Sequence, residues 1–174
     1  MNVSRLIEFY LGEVPDSEGR TIHDILNFDL RELETVDNYI QWLFPVKERS
    51  QFNPNAPVLS DQDIAAFRRS EVLKRTLLDA FIKMLGFYGL ELKDHKIVRS
   101  SAWDQRKRWV APFNHNFLRI SRILTSLKLL GLEEYAQAFY VALSDLYKEY
   151  TDRIGPDTWR FWTDAVCQGQ PADH

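Results

Sequence analysis

Apolar residues recur every three or four positions along most of this chain, the spacing that builds one buried face of a helix. Val3, Leu6, Ile7 and Tyr10 open the pattern, which stops at Gly12 ahead of Pro15. Thr21 with Asp24 three residues on predicts a helix start, because a short oxygen-bearing side chain satisfies the N–H groups that a first turn leaves free. Ile22, Ile25, Leu26 and Phe28 form the buried side of that short helix. Asp29 and Glu32 repeat the signal. Leu33, Val36, Ile40, Leu43 and Phe44 then predict one apolar stripe on a single helix. It should end at Phe44, since Pro45 disfavours helix in the residue before it.

Residues 45–59 carry Pro45, Pro54 and Pro57 and predict an extended loop, with Phe52 and Val58 pinning it to the surface beneath. Ser60 and Asp63 restart helix, Ser70 caps a second one, and Gly86 is a natural left-handed terminator. Short strands compete only in residues 87–99, where we read a loop. Trp103–Trp109 predicts a short basic helix closed by Pro112, and Asn114 or Asn116 caps a longer one that ends at Gly131. Glu133 to about Asp152 presents Ala136, Phe139, Leu143, Leu146 and Tyr150 on one face. Gly155-Pro156 breaks it, and Asp157 caps a last helix with Trp159, Trp162 and Val166. The fold class is all-α: a single compact multi-helix domain of about six to nine helices around an aromatic-rich core. Residues 1–168 are expected to form it, with 169–174 a short flexible tail.

Composition changes this picture little. The 174 residues fit one domain, with eleven Phe, seven Tyr and five Trp to fill the core. A lone cysteine, Cys167, excludes an internal disulfide and a Cys-based zinc site, and fits a reducing cytoplasm. The N-terminal stretch lacks the long apolar run of a signal peptide. No window reaches the ~18 apolar residues of a spanning helix, so no transmembrane segment is expected. Charge is more informative. Residues 93–128 hold nine Lys or Arg against Asp94 and Asp104, a local +7 in a chain of net charge −3. Such asymmetry marks either an anion or nucleic-acid surface or the internal pairing of a basic half with an acidic one.

Candidate chemistry is sparse. The four histidines are widely spaced, with no HExxH, glycine-rich phosphate loop or GxSxG. Asp24, Asp29, Asp61 and Asp63 each have a use at a helix start, whereas acid–base catalysis needs two groups held in a cleft. No catalytic residue, metal or cofactor is therefore expected. Gln41 and Trp42 either line a groove with Tyr88 or pack in the core; large aromatic surfaces commonly anchor recognition. Asn114, His115 and Asn116 at a helix start, with Arg119, form either an anion site or a polar cap. Arg119 and Arg122 either fork onto an external phosphate or carboxylate or brace Asp37 or Glu34. Trp103 and Trp109 flank Arg106-Lys107-Arg108, a pattern that suits stacked bases and equally suits two buried indoles beside solvated charges.

Five segments carry a resemblance. They are Tyr39-Ile40-Gln41-Trp42-Leu43-Phe44-Pro45, Asn53-Pro54-Asn55-Ala56-Pro57-Val58-Leu59, and Met84-Leu85-Gly86-Phe87-Tyr88-Gly89-Leu90. Trp109 with Asn114-His115-Asn116-Phe117-Leu118-Arg119-Ile120 is the fourth, and Arg122 to Leu127 with Leu130-Gly131-Leu132 is the fifth. In order, they resemble the opioid growth factor receptor conserved-domain family, in a short stand-alone form of the sort a bacterium could carry. The resemblance implies a helical fold and binding of a small peptide, without enzymatic activity. We therefore expect a cytoplasmic, non-enzymatic domain that binds a peptide or protein. Anion or nucleic-acid binding through residues 93–128 is the alternative, and an unrecognised enzyme the second alternative.

Overall fold

Short polar side chains decide where the helices begin. The computed structural model describes residues 3–168, and the tail expected at 169–174 lies outside them. Ser4 caps α1 (Arg5–Tyr10). Thr21, Asp29 and Ser60 each form a reciprocal capping box, with Asp24, Glu32 and Asp63, at the starts of α2 (Ile22–Leu26), α3 (Leu30–Thr35) and α5 (Asp61–Arg69). Ser70 ends α5 and caps α6 (Glu71–Phe87), its hydroxyl accepting from the Leu73 N–H at 3.1 Å. Each box satisfies orphan N–H groups that a helix cannot bond internally.

The helix predicted through Phe44 is instead two. α3 stops at Thr35, Val36 turns extended, and α4 spans only Ile40–Leu43. The Tyr39 hydroxyl donates to the Leu33 carbonyl at 2.6 Å. A side chain thus satisfies one of the carbonyls that the end of α3 leaves unbonded. The loop that follows also departs from expectation. Phe52 is 84% exposed and Val58 is exposed too, while Val46 and Leu59 are buried and joined by a 2.9 Å backbone hydrogen bond.

Residues 87–99 are not loop. β1 (Leu90–Lys93) and β2 (Lys96–Arg99) pair antiparallel, Leu90 opposite Arg99 and Lys93 opposite Lys96. Asp94 and His95 both take positive φ in the two-residue turn, as a type I′ hairpin requires. The sequence lacks the Asn-Gly or Asp-Gly pair that announces such a turn, which is why it reads as loop. Gly86 does not terminate α6; Gly89 does that work at φ +79. A Cβ on Gly89 would lie 3.0 Å from the Trp103 Cα and 3.2 Å from the Arg106 Cβ, so only glycine fits.

Beyond the hairpin come α7 (Trp103–Arg106), a 3₁₀ turn (Lys107–Trp109), α8 (Asn116–Leu129), α9 (Glu133–Glu149), α10 (Thr151–Ile154) and α11 (Pro156–Gln168). The described residues thus hold eleven α-helices, above the six to nine expected. The excess comes from the split after Thr35 and from one-turn helices such as α10, too short for periodicity to register. The described residues are 61% helical and include one two-stranded sheet.

The chain divides into two compact units, Met1–Ala80 and Phe81–His174. In the first, Phe9 packs on Trp42 (ring centroids 5.0 Å apart) and Tyr10 on Phe67 (4.9 Å). The Tyr10 hydroxyl donates to the Leu43 carbonyl, and burial pushes its pKa far above that of an exposed tyrosine. Asp16 is buried and accepts from the backbone N–H groups of Glu18 and Arg20 and from the Arg20 guanidinium. In the second unit α8, α9 and α11 pack on one another, and β2 lies on α9. Trp159 of α11 stacks on both Tyr140 and Tyr147 of α9, at 4.8 and 5.2 Å. These two tyrosines are seven residues apart, roughly 10.5 Å along a helix at 1.5 Å per residue. The indole therefore sits between them and locks the last helix in place.

Candidate functional site

The residues proposed from sequence divide between the two units. Gln41 and Trp42 belong to the first, where both are buried. The Gln41 amide oxygen accepts from Asn53 Nδ2 at 3.5 Å, the outer limit of a hydrogen bond. The Trp42 indole N–H is buried with no hydrogen-bond partner. Asp37, offered as a partner for the arginines of α8, lies in the first unit and the arginines in the second.

The other seven lie in the second unit, and four of them are linked by a chain of contacts. Asn116 is fully buried in the first turn of α8. Its Oδ1 accepts from the Tyr88 hydroxyl and from Arg119 Nη1, each at 3.2 Å. Trp109 closes the group, donating its indole N–H to the Tyr88 carbonyl at 3.0 Å. Its ring lies 5.1 Å from that of Tyr88 and 6.4 Å from that of Phe117. Phe117 in turn meets Trp162, whose indole N–H donates to the Phe117 carbonyl at 3.0 Å. A guanidinium three residues along a helix from an amide reaches back over one turn, so Asn116 and Arg119 owe their meeting to helical spacing. Tyr88, Trp109, Asn116 and Arg119 thus form a buried polar knot within an aromatic cluster. A buried charge persists only with partners such as these.

The remaining three are accessible. Asn114 is half-buried, and its Oδ1 accepts from the Asn116 N–H at 2.9 Å in the turn that leads into α8, whereas the N-cap position itself falls on His115 rather than on Asn114 or Asn116. His115 is exposed at the head of α8 and Arg122 is half-buried further along it. The preceding turn holds a residue that sequence reasoning passed over. The Asn114 N–H bonds to the Ala111 carbonyl at 3.2 Å, which places Pro112 and Phe113 at the turn's corners. Phe113 adopts φ +61 and is 98% exposed. Proline at the first corner is the ordinary turn signal, but a positive φ at the second favours Gly or Asn, so nothing marks Phe113 in advance.

Much of the basic segment is engaged within the unit. Arg99 pairs with Glu149 and lies 4.8 Å over the Trp103 ring. Arg106 donates to the Gly86 carbonyl, and Lys107 pairs with Asp104 at 3.3 Å. Lys93, Lys96 and Arg108 are exposed. Among the described residues no three His, Cys, Asp or Glu side chains gather as a metal site would require, and no helix is long and apolar enough to cross a membrane.

These features define a helical domain with a buried polar and aromatic cluster beside one accessible helix start. Residues 2–166 match the opioid growth factor receptor (OGFr) conserved region. The chain is 39% identical over 138 residues to the opioid growth factor receptor of Mus musculus, covering 74% of this chain and 21% of that protein. It is 36% identical over 135 residues to opioid growth factor receptor-like protein 1 of Mus musculus, covering 74% of this chain and 29% of that protein. The human receptor gives 38% over 138 residues. The chain belongs to the opioid growth factor receptor conserved-region family, and it corresponds to less than a third of either mouse relative. No solved structure matches it.

Proposed function

We propose that this chain is a non-enzymatic, cytoplasmic binding domain for a peptide or protein, and that the accessible head of α8 contributes to the contact. Family membership carries the reading: relatives sharing more than a third of the matched residues are named opioid growth factor receptor and opioid growth factor receptor-like protein 1. Geometry supports it. Tyr88, Trp109, Asn116 and Arg119 are committed to one another, and that buried knot fixes the start of α8, where Asn114 and His115 are presented with Arg122 further along. A rigid support holding a few accessible polar groups suits recognition, since little entropy is lost when a partner binds a surface already in place.

Anion or nucleic-acid binding is the weaker alternative, because Arg99, Arg106, Lys107 and Arg119 are used inside the unit. The test is selection from a phage-displayed random peptide library, with synthetic opioid peptides assayed alongside by calorimetry. Saturable binding that His115→Ala or Arg122→Ala weakens supports the proposal. Failure of every peptide to bind above an unrelated helical domain overturns it.

A further inference from the structure

A single exposed apolar side chain is ordinary on a protein surface. Phe113 is not ordinary, for two reasons. Its ring is 98% exposed, so burial contributes nothing to folding. Its backbone sits at φ +61, where a β-carbon crowds the neighbouring carbonyl. The fold therefore carries strain at this position and draws no packing in return. Non-glycine residues persist in such conformations where their surroundings impose them, and ligand-contact sites are among the places they collect. Here the surroundings are Pro112, with its fixed φ, and the Asn114 hydrogen bond to Ala111 that closes the turn.

The neighbourhood has a definite chemistry. Residues 105–132 contain Arg106, Lys107, Arg108, Arg119, Arg122 and Lys128 and no Asp or Glu. Of these, Arg108 is exposed in the 3₁₀ turn ahead of Phe113, while its neighbour Lys107 pairs with Asp104. His115 is exposed two residues after it, and Leu118, 61% exposed, lies in the first turn of α8. An apolar ring and an exposed leucine are thus set within a run of one charge sign. We propose that the Ala111–Asn114 turn is a docking point for an acidic peptide segment bearing large apolar side chains, which pack on Phe113 and Leu118 while its carboxylates face Arg108. This rests on the peptide- or protein-binding reading above and names the class of partner.

The experiment uses the full chain and three short fluorescein-labelled peptides, in which leucine alternates with glutamate, with glutamine or with lysine. Anisotropy should report saturable binding of the glutamate peptide, weaker binding of the glutamine peptide and none of the lysine peptide. Affinity for the glutamate peptide should fall as salt rises, because the contact is partly ionic. Phe113→Gly keeps the turn and relieves its strain, and should weaken binding about tenfold or more, as loss of an aromatic anchor does. Arg108→Glu should also weaken it. Phe52→Gly, which removes another largely exposed ring from the first unit, should leave affinity unchanged. Equal affinity for the three peptides, or wild-type affinity in Phe113→Gly, overturns the proposal. If library peptides bind but ignore Phe113 and charge, the general binding reading survives and this one fails; if no peptide of any kind binds, both fail.

Discussion

Replacing Asn116 with alanine should unsettle the second unit more than its size suggests. The side chain is buried, and its Oδ1 is shared by the Tyr88 hydroxyl and the Arg119 guanidinium. Truncation removes both hydrogen bonds and leaves two buried donors short of an acceptor. A neutral donor orphaned in this way costs about 1–2 kcal/mol, and a charged one about 1.5–3. Arg119 and Tyr88 hold further interactions, so the lower part of that range applies and the expected loss is about 2–4 kcal/mol. Urea unfolding followed by tryptophan fluorescence reads it, because Trp109 and Trp162 lie in the same aromatic cluster. With a urea slope of about 2 kcal/mol per M, the midpoint should fall by roughly 1–2 M. Tyr88→Phe alone, which leaves Asn116 bonded to Arg119, should cost about 1 kcal/mol. Combining the two should give a loss smaller than the sum by about 0.5 kcal/mol or more, since the partners share one bond. A midpoint shift below about 0.3 M in Asn116→Ala would refute the reasoning.

Three other substitutions test other parts of the fold. Trp42→Ala should destabilise the first unit by about 3–5 kcal/mol in denaturant unfolding, through lost burial and a residual cavity beside Phe9; an unchanged midpoint would make the indole a surface contact instead. Ser126→Ala should be neutral or stabilising by up to about 1 kcal/mol, because the hydroxyl is buried on α8 without a hydrogen-bond partner; a clear loss of thermal stability would contradict that. Asp16→Ala should cost about 3 kcal/mol, because its carboxylate satisfies the Arg20 guanidinium and two backbone N–H groups; preserved stability would mean that the turn holds without it.

The starts of helices were legible in the sequence because each is marked by a single chemical device. Thr21, Asp29, Ser60 and Ser70 all cap where the sequence predicts caps. Interruptions were less legible. The apolar stripe from Leu33 to Phe44 continues across a break, because Leu33, Ile40, Leu43 and Phe44 are buried although the backbone leaves the helix between Leu33 and Ile40. The hairpin escaped notice because Asp94 and His95 adopt left-handed backbone without the glycine that usually announces it. The choice of Gly89 over Gly86 as the end of α6 depends on a close approach by Trp103, a tertiary fact that no local pattern contains.

The candidate site was legible in its members more than in their roles. The sequence points to Tyr88, Trp109, Asn116 and Arg119 as contact residues, and the structure gathers all four into one buried knot. Sequence alone could not distinguish a polar residue offered to a ligand from one spent on a neighbour, since both require the same side chains at the same helical spacing. Phe113 was invisible because its distinction lies in a dihedral angle and in complete exposure, neither of which composition predicts.

The most direct test is a nuclear magnetic resonance titration of the isotope-labelled chain with a library-selected peptide, following backbone amides and the tryptophan indole N–H signals together. Shifts should concentrate between Ala111 and Leu118 and at Arg122, while the Trp109 and Trp162 indole signals, bonded to Tyr88 and Phe117, stay in place. Shifts centred on Gln41 and Trp42, or displacement of the Trp109 indole signal with the Ala111–Leu118 amides unmoved, would contradict a division between a buried frame and an exposed contact surface.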